Sequence, residues 1–278
     1  MTATYRTASA SEVALMLDWA ADEGWNPGLD DAAAFFAADP DGFFVAEVDG
    51  TPVAAISVVN HDDTMAFLGL YLCRPSHRGR GIGFGLWQHA LAHAGDRTVG
   101  LDGVAAQQAN YARSGFAPAG ATRRFMGQLP AGTTVGHRPA TPADLPALAA
   151  LDRAACGYDR PAFLSNWMMG SATRRTVVSE TGGALDGAAT ARACREGIKI
   201  GPVIAVDAER ALSLAASAAA ALPVDGPRFI DVAPGQDALA ERLTSLGFQE
   251  TFATARMYRS APPQPDGTLQ AVATMELG

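Results

Sequence analysis

The segment Leu70-Tyr71-Leu72-Cys73-Arg74-Pro75-Ser76-His77-Arg78-Gly79-Arg80-Gly81-Ile82-Gly83 joins an apolar run to a helical one through a turn with three glycines. Gly79, Gly81 and Gly83 leave successive backbone N–H groups unscreened at a helix amino end, a setting that suits a pyrophosphate. Arg78 and Arg80 add charge-assisted donors. No Gly-Lys-Ser/Thr follows, so this is not a Walker A loop, and Phe84 stands where the last glycine of GxGxxG would be. The plainer reading is a tight turn whose glycines serve only its dihedral angles. Tyr111, four residues before Gly115-Phe116, is a phenol that could protonate a leaving group or simply pack. Cys73 has no histidine at a spacing that would make it a nucleophile.

These residues need elements to hold them. Residues 10–23 set Val13, Leu17 and Ala20 at helical spacing behind a cap at Ser9 or Ser11. After the loop Gly24-Trp25-Asn26-Pro27-Gly28 comes a short helix at 31–38, then strands at 43–48, 53–59 and 65–73 turned by Asp49-Gly50 and Asp62-Asp63. A helix at 83–94, a buried strand at 98–101 and a helix at 104–114 stopping at Gly115 follow. The order is ααβββαβα, closed by a strand near 122–128, and implies an α/β layer fold on one mixed sheet.

The pattern occurs twice. An offset of 132 residues carries Tyr5-Arg6-Thr7-Ala8 onto His137-Arg138-Pro139-Ala140, Gly69 onto Gly201, Gly115-Phe116 onto Gly247-Phe248 and Arg124 onto Arg256. We expect domains at 1–130 and 137–278, joined by a linker over 130–136. In the second copy Arg210-Ala211-Leu212-Ser213-Leu214-Ala215 replaces the glycine turn and Leu243 replaces Tyr111. Side chains there would crowd a pyrophosphate, so this copy is expected to bind none and to wall a cleft.

The chain has 278 residues, 48% hydrophobic and 18% charged, with 21 Lys+Arg against 29 Asp+Glu and a net charge of −8. That balance disfavours nucleic acid. Three cysteines without metal-ligand spacing argue against a disulfide framework or metal site and for a reducing, cytoplasmic location. The start lacks a secretion signal, so the mature chain is expected to begin near Met1; the longest apolar stretch is too short to cross a membrane.

Arg78-x-x-Gly81-x-Gly83 after a strand ending in Cys73-Arg74-Pro75 resembles the acyl-coenzyme A motif of the GNAT superfamily of N-acetyltransferases. Asn110-Tyr111-Ala112-Arg113-Ser114-Gly115-Phe116 is similar to its second signature. With Trp25-Asn26-Pro27-Gly28, Leu101-Asp102-Gly103-Val104, Tyr158-Asp159-Arg160 and Glu276-Leu277-Gly278, the chain resembles a two-domain bacterial subgroup related to holothin acyltransferase-like proteins. The resemblance implies tandem GNAT folds, each a mixed, mostly antiparallel sheet flanked by helices. It implies acetyl-CoA as cosubstrate, cradled by amides from Arg78 through Gly79, Arg80, Gly81 and Ile82 to Gly83. Leu72 and Cys73 would pair with the pantetheine arm, an amide near Tyr71 would serve the thioester oxygen, and Asn110 would join the cofactor site. Tyr111 would protonate the departing thiolate.

The stretch Phe67-Leu68-Gly69-Leu70 lacks the strand glutamate that some members use as base. A water chain is expected instead; His61, Asp62, Asp63, Glu23 and Asp102 are near but unassigned, and His61 reads as a solvated turn residue. Trp25 and Asn26 are candidate acceptor contacts. So are Arg192, Arg195, Lys199, Trp167 and Tyr158-Asp159-Arg160 of the second copy, although the last could be a local ion pair. The expected activity is acetyl transfer to the primary amine of a small molecule. A non-catalytic acyl-CoA-binding or regulatory protein, and an N-acetyltransferase of proteins or peptides, are the alternatives; oligomeric state is left open.

Overall fold

The computed structural model describes residues 3–130 and 136–278. Most of the expected linker, 131–135, lies outside the described residues. The first half runs β1 (Thr4–Thr7), α1 (Ala10–Asp22), α2 (Asp31–Ala38), β2 (Phe43–Val48), β3 (Thr51–Asn60), β4 (Met65–Cys73), α3 (Ile82–Leu91), β5 (Thr98–Gly103), α4 (Gln108–Arg113) and β6 (Ala117–Gly127). The second runs β7 (His137–Pro139), α5 (Leu145–Cys156), α6 (Pro161–Trp167), β8 (Arg174–Thr181), β9 (Ala184–Ala193), β10 (Ile198–Ile204), α7 (Ala208–Ala220), β11 (Arg228–Val232), α8 (Asp237–Ser245), β12 (Gln249–Arg259) and β13 (Leu269–Ala271). The expected order omitted β1, which is only four residues long and lacks a clear alternation. Ser9 caps α1 in a capping box with Glu12.

All strands form one sheet, ordered β1-β2-β3-β4-β5-β12-β6-β11-β13-β10-β9-β8-β7. Among the described strands only β4–β5 and β10–β11 run parallel. The sequence reading kept the strand after Gly115 within its own copy; instead β12 lies between β5 and β6, and β6 pairs onward with β11. The two exchanged strands share one burial pattern, five exposed residues followed by an inward alternation. Thr122 faces Thr254, its own mate at an offset of 132, so an approximate twofold axis passes between them.

Each exchanged strand carries an arginine that grips an aspartate on the other half. Arg124 of β6 binds Asp231 of β11 through two bonds of 2.6 and 2.7 Å, and Arg256 of β12 binds Asp102 of β5 at 2.7 Å. All four groups are buried or nearly so, which makes the paired geometry important, since either charge alone would be costly there.

Alternation sends Phe43 and Val45 of β2 to one face and Phe44 and Ala46 to the other. On the first face α1 and α2 share a single core with α5 and α6, joined through Phe35, Phe163 and Trp167. Opposite it, α3 and α4 cover the first half while α7 and α8 cover the second. The chain's last segment, 272–278, is buried along the junction. A Cβ at Gly69 would collide with the carbonyl of Glu276, and one at the repeat-related Gly201 with that of Val272. The repeated glycine therefore makes room for this tail.

Candidate active site

The parallel ladder between β4 and β5 ends at Leu68 and Leu101. Beyond it β4 continues to Cys73, paired only to β3, with a bulge at Leu70-Tyr71 opposite Ile56. Leu70 there has φ 46°, a left-handed backbone that an L residue adopts only under local constraint. The two strands splay, and a cleft of about 900 Å³ opens between them.

At the end of β4 the chain makes a short 3-10 turn, Pro75–His77, then passes through Gly79 at φ 74° and Gly81 at φ 78°. Those conformations favour glycine. Gly81 caps α3 without a side chain, and the first intrahelical bond is Gly85 N–H to Gly81 O at 3.0 Å. The amides of Ile82, Gly83 and Phe84 are left at the helix's positive end, facing the cleft these residues line. A Cβ on Gly83 would meet the Tyr71 hydroxyl at 2.8 Å. Arg78 is half exposed, pairs with Glu23 at the end of α1 and donates Nε to Cys73 O at 2.8 Å.

Tyr111 of α4 lines the same cleft and is 8% exposed. Trp87 of α3 holds it in a stack with centroids 5.4 Å apart, and meets Tyr71 edge-on at 5.5 Å. Burial, then Tyr71, pushes the Tyr111 phenol up to about 12, so it stays protonated at neutral pH and can donate but not accept a proton there. Burial likewise raises the Cys73 thiol, which disfavours a thiolate nucleophile.

Tyr71, Leu72, Cys73, Arg78, Gly79, Gly81, Ile82, Gly83, Tyr111, Trp25 and Asn26 all line the cleft, whereas Arg80 and Asn110 do not. Arg80 is exposed, and the Asn110 amide donates to Gln107. Asn26 exchanges bonds with the backbone of Glu196, at 2.9 and 3.1 Å, tying the α1–α2 loop to the second half.

The second-half candidates sit elsewhere. Trp167 is fully buried between the guanidinium groups of Arg174 and Arg192, 4.4 and 4.6 Å from its ring centre. Arg192 pairs with Asp31, Arg195 with Asp18, and Lys199 donates to Trp25 O at 2.8 Å. Arg160 is buried against Asp152 at 2.7 Å and also donates to Gly278 O, so the ion pair in this motif joins α5 to the last residue. His61 is not a solvated turn residue: it is buried, with Nε2 2.8 Å from Leu277 O and Nδ1 unpartnered. Burial, then the Arg160 charge, lowers its pKa to about 4, and the neutral ring donates Nε2–H to that carbonyl.

Sequence reasoning gave no cleft role to the far wall: Arg124, Met126, Phe229, Thr251, Phe252, Met275 and Glu276. Arg124 was visible as a repeat partner of Arg256 and Glu276 as part of the ending Glu276-Leu277-Gly278, but their place on this wall, like the others', needed the strand exchange and the tail. Arg210 to Ala215 of the second half lie inside α7, which begins at Ala208, ahead of the position that corresponds to the start of α3.

Residues 11–116 match the model of the Acetyltransferase (GNAT) family, and 148–271 match that of an Acetyltransferase (GNAT) domain. Holothin acyltransferase from Pseudoalteromonas sp. (strain SANK 73390) is 34% identical over 278 residues, covering 99% of this chain and 94% of that one. Among solved structures, a putative acetyltransferase from Pyrococcus horikoshii superposes with a TM-score of 0.82 at 19% identity, covering 99% of this chain and 96% of the other. A tandem GNAT protein from the clavulanic acid biosynthesis pathway gives 0.62 at 18%, covering 95% and 100%. At these identities the two structures speak for the fold.

Proposed function

The chain belongs to the GNAT family of acyltransferases, and on that premise we propose that it moves the acetyl group of acetyl-CoA to the primary amine of a small molecule. Residues 1–130 are the catalytic unit in this reading and 137–278 a degenerate copy that walls the acceptor side. The observation that carries it is a single splayed cleft with an open glycine turn at one end and a protonated phenol, Tyr111, on its wall.

In this reading the amides of Ile82, Gly83 and Phe84 receive the pyrophosphate, and the free edge of residues 69–73 pairs with the pantetheine arm. An amide near Tyr71 serves the carbonyl oxygen as it gains charge. The amine attacks the thioester directly, the tetrahedral adduct expels the thiolate, and Tyr111 protonates it. Met126, Phe229, Phe252 and Trp25 favour a small, partly apolar acceptor over a polypeptide.

The test is release of coenzyme A thiol from acetyl-CoA with 2-phenylethylamine, aniline, lysine, spermidine, kanamycin and a hexapeptide. Amine-dependent release with a small amine is expected. Release with the peptide alone, or with none, contradicts the proposal.

A further inference from the structure

We propose that Glu276, on the buried terminal tail, binds the acceptor's ammonium group and takes its proton; this rests on the amine-transfer reading above. The first half has no carboxylate on residues 68–73, the part of β4 that lines the cleft. The tail supplies one at that place from the far end of the chain. Gly69, with no side chain, admits the Glu276 backbone against β4 beside the point where the β4–β5 ladder stops.

Glu276 lines the cleft and is 7% exposed. Its carboxylate accepts a bond from the Thr274 hydroxyl, and the Thr274 side chain in turn accepts the Glu276 amide at 3.2 Å, so the side chain is held rather than free to leave. The three cations whose charges act on Glu276 make their direct bonds elsewhere: Arg124 with Asp231, Arg192 with Asp31, and Lys199 with the Trp25 carbonyl. Among the described residues no ion pair reaches Glu276. A nearly buried carboxylate held at a cleft wall, with no cation in direct contact, can take a proton from a cationic ligand that reaches it. The acceptor it fits is a primary alkylammonium.

The step balances as follows. The ammonium gives one proton to Glu276, which passes it to solvent, and the freed nitrogen lone pair bonds to the thioester carbon. When the C–S bond breaks, the thiolate takes the Tyr111 proton and the new amide nitrogen returns its surplus proton to Tyr111. One amide, one thiol and one released proton result.

The experiment compares 2-phenylethylamine, an ammonium near neutral pH, with aniline, which is neutral there, in wild type and Glu276→Gln. At pH 7 the variant should lose about 10²-fold in kcat/KM for 2-phenylethylamine and change little for aniline. The deficit should shrink as pH nears the alkylamine's own pKa of about 10. Acetyl-CoA affinity, read by calorimetry, should hold. Equal losses for both amines at every pH, a deficit under about twofold, or a parallel loss of acetyl-CoA affinity overturns the assignment while leaving amine transfer intact. If wild type acylates neither these nor any other amine, the proposed function fails and this inference with it.

Discussion

Tyr111 is where chemistry and packing are most easily confused, because its ring is stacked on Trp87 and its hydroxyl belongs to the cleft. Replacing it with Phe keeps the ring and removes only the hydroxyl. Tyr111→Phe is therefore expected to lower kcat about 10²-fold with acetyl-CoA affinity unchanged; a kcat within about twofold across pH, measured by thiol release, would make the residue a packing group. His61 gives a stability prediction. Its ring is neutral in the fold, with a pKa near 4, and takes up a proton near 6.5 once unfolded. The unfolded chain binds the extra proton between those values, so the contribution of His61 is lost as pH falls from about 6.5 to about 4, at most about 3 kcal/mol. Thermal melts should show that acid slope diminished in His61→Gln. The sequence hid this role because the partner carbonyl, on Leu277, is 216 positions away.

At the scale of elements, the local pieces were legible and their neighbours were not. The strand, glycine turn and helix over 65–91 follow from the apolar run, the positive-φ glycines and the spacing of Leu86 and Ala90, all of which act within a few residues. The placing of β12 between β5 and β6 does not, because β6 and β12 carry the same pattern and either could in principle pair with either half. The observed pairing is tied by the crossed grip of Arg124 on Asp231 and Arg256 on Asp102. Arg124→Met should strand a buried carboxylate and cost about 3–5 kcal/mol. Adding Asp231→Leu should restore much of that loss in denaturant melts, whereas an additive double variant would show that the pair does not secure the junction.

On the scale of the whole molecule, duplication has produced one sheet with two unequal ends. The first half keeps a helix N-terminus open at a glycine turn, while the second runs α7 straight through Arg210 to Ala215. The tail then crosses both Gly69 and Gly201 and adds Glu276 to the surviving cleft. The asymmetry was legible in composition, since the loss of three glycines is a local fact; the tail's path was not, since 272–278 has no periodic signal and its burial comes entirely from the junction. The account stands on there being one cofactor site per chain, at the first glycine turn. Calorimetric titration of acetyl-CoA into the intact protein and into a folded Gly83→Asp variant tests that most directly. One equivalent bound by wild type and binding abolished in the variant is the predicted result; two equivalents, or unchanged affinity in Gly83→Asp, would contradict it.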